Sequence, residues 1–219
     1  MSILTPLQKH FLDQFFATFL GKEFFLSGGT ALSEYYLRHR LSQDLDLFTV
    51  NQEITFDIVN AEIRKIIDRE GLRVESEIIS DSFLRYILKT NGEVLKVDLV
   101  KDVPVHFGEI KNFGLIRIDS IENITVGKLL ALFGRADPKD FIDLFFLLKS
   151  EKKLEFDEVL KMAKRKDLGL QELFLAEMIY KAETLEIFPP TIKPFVKKEL
   201  VQYFTQLGEG LLKKIKPSE

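Results

Sequence analysis

Phe24-Phe25-Leu26-Ser27-Gly28-Gly29-Thr30-Ala31-Leu32, followed through Ser33–Leu41 by Ser42-Gln43-Asp44-Leu45-Asp46-Leu47-Phe48, decides the reading of this chain. A short apolar run stops at two glycines, a helical pattern follows over 30–39, and an alternating segment begins at Leu45. On a strand, residues two apart share a face. Asp44 and Asp46 therefore point together while Leu45 and Leu47 enter the core. Two carboxylates so close repel unless a cation lies between them. Hard oxygen ligands of this kind suit Mg²⁺ or Mn²⁺. Taken alone, the pair is equally an exposed strand face that happens to carry two acids.

Its surroundings change the weighting. Lys96-Val97-Asp98-Leu99 is a second strand with polar residues on alternate positions. Should it neighbour the Asp46 strand, Asp98 becomes a third carboxylate, enough to hold two divalent ions in phosphoryl or nucleotidyl transfer. Lys96 would then neutralise phosphate charge or pair with an acid. Upstream, Gly28-Gly29-Thr30 between strand and helix lets backbone N–H groups approach an anion at a helix start. The sequence lacks the Gly-x-x-x-x-Gly-Lys pattern of a P-loop.

Working outward, the spacing predicts an amphipathic helix over 4–20 and another over 56–70, closed by Gly71. Strands are expected over 72–79, 83–89, 94–100 and near 115–118, with Asn91-Gly92 as a two-residue hairpin turn. Helices are expected at 121–134, 138–149, 155–165, 170–186 and 193–214, with Asp137-Pro138 as a capped start. The expected plan is α+β: a mixed sheet core over 1–120 including the first helix, then a helical domain over 121–219, without a flexible linker.

Composition sets the outer limits. The chain has 219 residues, no cysteine, and a net charge of −3, so disulfides and thiolate metal sites are excluded. Residues 1–148 carry a net −5 and residues 149–219 a net +2. That split suits metal at one end and phosphate at the other, although chance gives splits this small as well. No run approaches the roughly 18 to 20 apolar residues of a membrane helix, and the N-terminal segment, with Lys9, His10 and Asp13, reads as an amphipathic helix and not a signal peptide. A cytoplasmic protein is expected. His10, His39 and His106 lack metal-ligand spacing, and His39 is expected to be non-catalytic. Phe141, Phe145 and Phe146 are expected in the core.

Residues 24–48 resemble the first motif of the AbiEii/AbiGii toxin nucleotidyltransferases, within the polymerase-β-like nucleotidyltransferase superfamily. Gly28, Gly29, Asp44, Asp46 and Asp98 match the superfamily's glycine turn, acid pair and third acid. Thr30 and Ser42 stand where hydroxyl residues recur, and Arg40 matches an Arg-x-Ser before the acids. Residues 123–148, NITVGKLLALFGRADPKDFIDLFFLL, are similar to the family's later motifs. The resemblance implies a polymerase-β-like mixed sheet with flanking helices. It also implies Lys128 as a nucleotide-phosphate lysine and Asp140 as the acid that positions it; Arg135 and Asp143 are less firmly matched. From the residues alone, Asp140 is equally a helix-start acid favoured by the dipole, Lys128 a surface lysine, and Asp143 a structural partner of Arg135 or Lys139.

The combined expectation is metal-dependent transfer of NMP from an NTP to an acceptor hydroxyl. Asp44, Asp46 and Asp98 hold the metals. Gly28, Gly29, Thr30, Ser42, Lys96 and Lys128 hold the nucleotide. The resemblance implies a toxin with an antitoxin partner and the tRNA 3′ end as acceptor. A transferase acting on a small molecule or protein, and a catalytically silent binding module of the same fold, are the alternatives.

Overall fold

Thr5 starts the first helix by a reciprocal cap: its hydroxyl accepts from Gln8 N, and the Gln8 side chain accepts from Thr5 N at 2.9 Å. This helix, α1 (Pro6–Phe16), buries Leu7, Phe11, Leu12, Phe15 and Phe16. It is shorter than the spacing predicts, and the reason is local. The Thr18 hydroxyl donates to Phe15 O at 2.7 Å, and a Cβ on Gly21 would lie 2.4 Å from Phe16 O. The chain turns tightly there into α2 (Leu20–Glu23).

Strand β1 (Phe25–Ser27) leads into α3 (Gly28–Ala31), which widens into a π-helical segment, Leu32–Leu37. Arg38, at φ 52°, ends the expected 30–39 helix. β2 (Asp44–Thr49) and α4 (Phe56–Arg69) follow, the latter stopped by Gly71 at φ +61°. Then come β3 (Arg73–Ile79), β4 (Phe83–Lys89) and β5 (Val94–Lys101). The computed structural model describes residues 2–90, 92–150 and 154–215. The Asn91-Gly92 turn therefore lies partly outside the described residues; beside it, Thr90 N donates to Glu93 O at 3.0 Å. A strand not expected from sequence, β6 (Lys111–Phe113), pairs with β7 (Ile116–Ile118) about Gly114 at φ +62°.

The seven strands form one mixed sheet, ordered β3-β4-β5-β2-β1-β7-β6. β2 and β5 are parallel, as are β1 and β7; the other neighbours are antiparallel. One face is apolar: Leu45, Leu47, Leu84, Tyr86, Leu88, Leu95, Val97 and Leu99 are fully buried or nearly so. α4 lies against this face, and Tyr86 donates its hydroxyl to Asn60. Each such leucine contributes about 1.5–3 kcal/mol of burial, which fixes the register and so holds the opposite face polar.

The remaining helices are α5 (Ile121–Arg135), α6 (Pro138–Leu148), α7 (Phe156–Lys166), α8 (Glu172–Tyr180) with a 3₁₀ turn at Lys181–Thr184, and α9 (Lys197–Ile215). Asp137 caps α6 by accepting from Lys139 N at 3.1 Å, with Pro138 in the first turn. Phe141 and Phe204 meet edge to face in the helical core, with ring centroids 5.0 Å apart. α9 starts four residues later than expected, because Ile192 N and Lys193 N both donate to His39 O. The chain divides into a sheet unit, Met1–Tyr36 with Ser42–Ile121, and a helical unit, Leu37–Leu41 with Glu122–Glu219. Among the described residues, no helix is long and apolar enough to cross a membrane.

Candidate active site

In the sheet unit the glycine turn and the acid pair meet directly. Gly28 has φ +66°, and a Cβ there would stand 2.0 Å from Asp46 Oδ2. The position therefore excludes a side chain twice, by its left-handed backbone and by the approach of the carboxylate. Thr30 is buried, and its hydroxyl donates to Asp44 O at 2.5 Å. That bond ties the helix start to the beginning of β2 and commits the hydroxyl to the backbone. Ser42 lies just before the strand, its carbonyl accepting from the Gln8 side chain at 2.9 Å.

The parallel pairing of β2 with β5 sets Asp44 opposite Lys96 and Asp46 opposite Asp98. Across β4 the row continues to Arg85, opposite Asp98, and across β1 to Ser27, opposite Asp46. Lys96 Nζ is 2.7 Å from Asp44 Oδ2 and 3.7 Å from Asp98 Oδ2. Arg85 grips Asp98 with both arms, Nε and Nη2 donating at 2.7 Å each. That pairing holds the guanidinium above its ordinary pKa. Sequence reasoning missed Arg85, since only strand order reveals that it faces Asp98.

For a divalent ion, the donor set fits in kind: three hard carboxylates on one face, two of them in register, with a bare glycine against Oδ2 of Asp46. The side chains are not gathered round a single point, however. Asp44 and Asp98 each face a cation of the chain, and among the described residues no three acids or histidines stand ready to hold a metal.

A second polar cluster adjoins this row. Asp119, fully buried, accepts from Ser27 Oγ at 2.5 Å and Ser120 N at 2.8 Å, and its Oδ1 lies 2.8 Å from His106 Nε2. Tyr36 donates to its carbonyl at 2.6 Å. His106 is thus a partner of Asp119. The only sequence hint was an acid immediately after the Ile116–Ile118 strand.

The helical unit holds Lys128 and Asp140. Lys128 is buried, with Nζ 3.2 Å from Asp140 Oδ1 and 2.7 Å from Asp143 Oδ2. It is therefore not a surface lysine. Arg135 pairs with Asp140, Nε donating at 2.8 Å and Nη2 at 3.1 Å. Asp140 makes these ion pairs while Asp137 does the capping. Asp143 does not pair with Arg135 or Lys139 as the sequence suggested. It accepts from Arg40 Nε at 2.6 Å and Nη2 at 2.7 Å, and its Oδ1 is 2.6 Å from His39 Nε2.

Burial of this network sets its charges. Desolvation would raise the Asp143 pKa, but Lys128, Arg40 and His39 outweigh it and hold the carboxyl well below its usual range. For Lys128, burial pushes down and Asp143 and Asp140 push up more strongly, so the amine stays charged. Burial dominates at His39 and lowers its pKa despite the Asp143 bond, which keeps the ring neutral near pH 7. His39 then donates from Nε2, and its buried Nδ1 has no partner.

The family model described as nucleotidyl transferase AbiEii toxin, type IV toxin–antitoxin system, matches residues 10–200. The chain belongs to the AbiEii family. It is a nucleotidyltransferase of that toxin class. A protein of Aquifex aeolicus (strain VF5) is 28% identical over 207 residues, covering 93% of this chain and 95% of its own. MenT4, a nucleotidyltransferase toxin from Mycobacterium tuberculosis H37Rv, has the same fold at a TM-score of 0.66. The two are 18% identical, and the likeness spans 96% of this chain and 83% of MenT4. JHP933 from Helicobacter pylori superposes at 0.55 with 20% identity, over 95% of this AbiEii-family chain and 90% of its own. The mixed sheet with flanking helices and the helical C-terminal half expected from sequence are thus present in an AbiEii-family protein.

Proposed function

We propose that this protein transfers a nucleoside monophosphate from an NTP to an acceptor hydroxyl in a reaction that depends on Mg²⁺ or Mn²⁺. The observation that carries the reading is the register of Asp46 beside Asp98, with Gly28 bare against the Asp46 carboxylate. Asp44, Asp46 and Asp98 would hold the metal, which supplies Lewis-acid stabilisation of the phosphoryl oxygens. The acceptor oxygen attacks the α-phosphorus, the bond from that phosphorus to the bridging oxygen breaks, and pyrophosphate leaves. Asp98, once out of the Arg85 fork, would take the acceptor proton.

The Gly28-Gly29-Thr30 turn offers backbone N–H groups to the triphosphate, since the Thr30 hydroxyl is already committed. In the helical unit, Asp140 and Asp143 hold the amine of Lys128. Lys96 neutralises charge beside Asp44, and Ser42 borders the nucleotide. We take the acceptor to be the 3′ end of tRNA and the partner to be a separately encoded antitoxin, on the strength of family membership. A reaction with those substrates belongs in the cytoplasm.

Incubating α-³²P-labelled NTPs with tRNA, lysate protein and small molecules, with and without Mg²⁺ or Mn²⁺, tests this. Metal-dependent label in tRNA is expected. Label in protein or small molecules would replace the acceptor, and label in no pool would overturn the activity.

A further inference from the structure

We propose that Arg85 is a resident counter-ion of the carboxylate row, one that a divalent ion must displace from Asp98. The inference rests on the metal reading above but concerns a residue which that reading does not use.

Asp98 is 9% exposed as a side chain. A carboxylate so enclosed needs a cation, whether from the chain or from solution. Arg85 fills that need: its planar fork covers both carboxylate oxygens at 2.7 Å each. The same guanidinium lies 5.2 Å from the centroid of the Phe83 ring, one more contact that orients it toward the row. Lys96 cannot substitute, because it is engaged at 2.7 Å with Asp44 and reaches Asp98 only at 3.7 Å.

A metal taking an oxygen of Asp98 competes with the fork for that oxygen. Asp46 lies against the bare Gly28 position, with Ser27 and Asp98 across its register. Arg85 is 37% exposed, so the released guanidinium can swing outward at modest cost. The consequence is that the third carboxylate is held in place, and held back from metal, until metal arrives.

The test is Mn²⁺ binding by the full chain without NTP, with free Mn²⁺ read by electron paramagnetic resonance and folding checked by circular dichroism. R85Q is expected to bind about tenfold more tightly than wild type, with R85K intermediate because lysine keeps the charge and loses the fork. D98N is expected to bind more weakly, and adding R85Q to it should change the affinity less than twofold or so. Should R85Q not fold, R85K carries the comparison. Unchanged or weaker binding in R85Q, with D46N and D98N still impairing wild-type binding, would overturn the role of Arg85 and leave the metal site standing. Absence of saturable Mn²⁺ binding in every form, wild type included, would overturn both.

Discussion

Gly28→Ala is the substitution for which the structure gives the most definite expectation. The new Cβ would lie 2.0 Å from Asp46 Oδ2, at a backbone φ of +66°. Left-handed backbone costs alanine roughly 1–2 kcal/mol. Relieving the contact means turning the Asp46 carboxylate away, and an off-rotamer side chain adds about 0.5–1.5 kcal/mol. The total is about 1.5–3.5 kcal/mol, which for a chain of this size is a fall in Tm of roughly 3–14 °C. Activity should suffer more than stability, because a carboxylate displaced by about 1 Å costs on the order of 10²-fold. Differential scanning fluorimetry and label transfer on the same preparation check both numbers. Gly127→Ala is the control: its Cβ meets nothing within 4 Å, and in the α5 interior it should stabilise by up to about 1 kcal/mol. A Gly28→Ala protein with wild-type Tm and wild-type transfer would refute the close approach of Gly28 to Asp46.

Three further outcomes are expected. Asp143→Asn leaves buried Lys128 and Arg40 without their shared carboxylate, so urea denaturation should show a loss of about 3–5 kcal/mol; less than about 1 would contradict the network. The wild type should lose stability on acidification in two stages. His39, whose folded pKa is depressed below its ordinary 6.5, resists the proton that the unfolded chain binds as pH falls through that value. Asp143, also depressed, contributes fully above its unfolded pKa of about 3.9 and loses its contribution as pH falls further. His39→Asn should flatten the stability curve between about pH 7 and 5 while leaving the lower stage, measured by urea titration at each pH. Thr30→Val removes the donor to Asp44 O and should cost about 1–2 kcal/mol, again by urea.

The fold was legible where one residue's pattern sufficed. Alternation from Asp44 to Phe48 marked a strand with Leu45 and Leu47 inward, and both are fully buried. Asp137-Pro138 marked the start of α6, and Asp137 caps it. What depended on distant segments was not legible. The parallel pairing that sets Asp46 beside Asp98 joins residues some fifty apart in the chain, and no local pattern encodes strand order. The Arg85 fork follows from that same order. Asp143 looked like a local partner of Arg135, yet its ligands Arg40 and His39 come from more than a hundred residues upstream. The β6 strand is three exposed residues, too short and too wet to leave an alternating pattern. The start of α9 moved because a backbone carbonyl, His39 O, captures the N–H groups of Ile192 and Lys193.

The most direct measurement is a crystal structure of the protein with a non-hydrolysable NTP and Mn²⁺, with the metal located by its anomalous signal. The account predicts manganese bound between Asp44 and Asp46, with Asp98 turned from Arg85 toward it and the triphosphate against the Gly28-Gly29 turn. Manganese bound elsewhere, with Asp44 still on Lys96 and Asp98 still in the Arg85 fork, would contradict it.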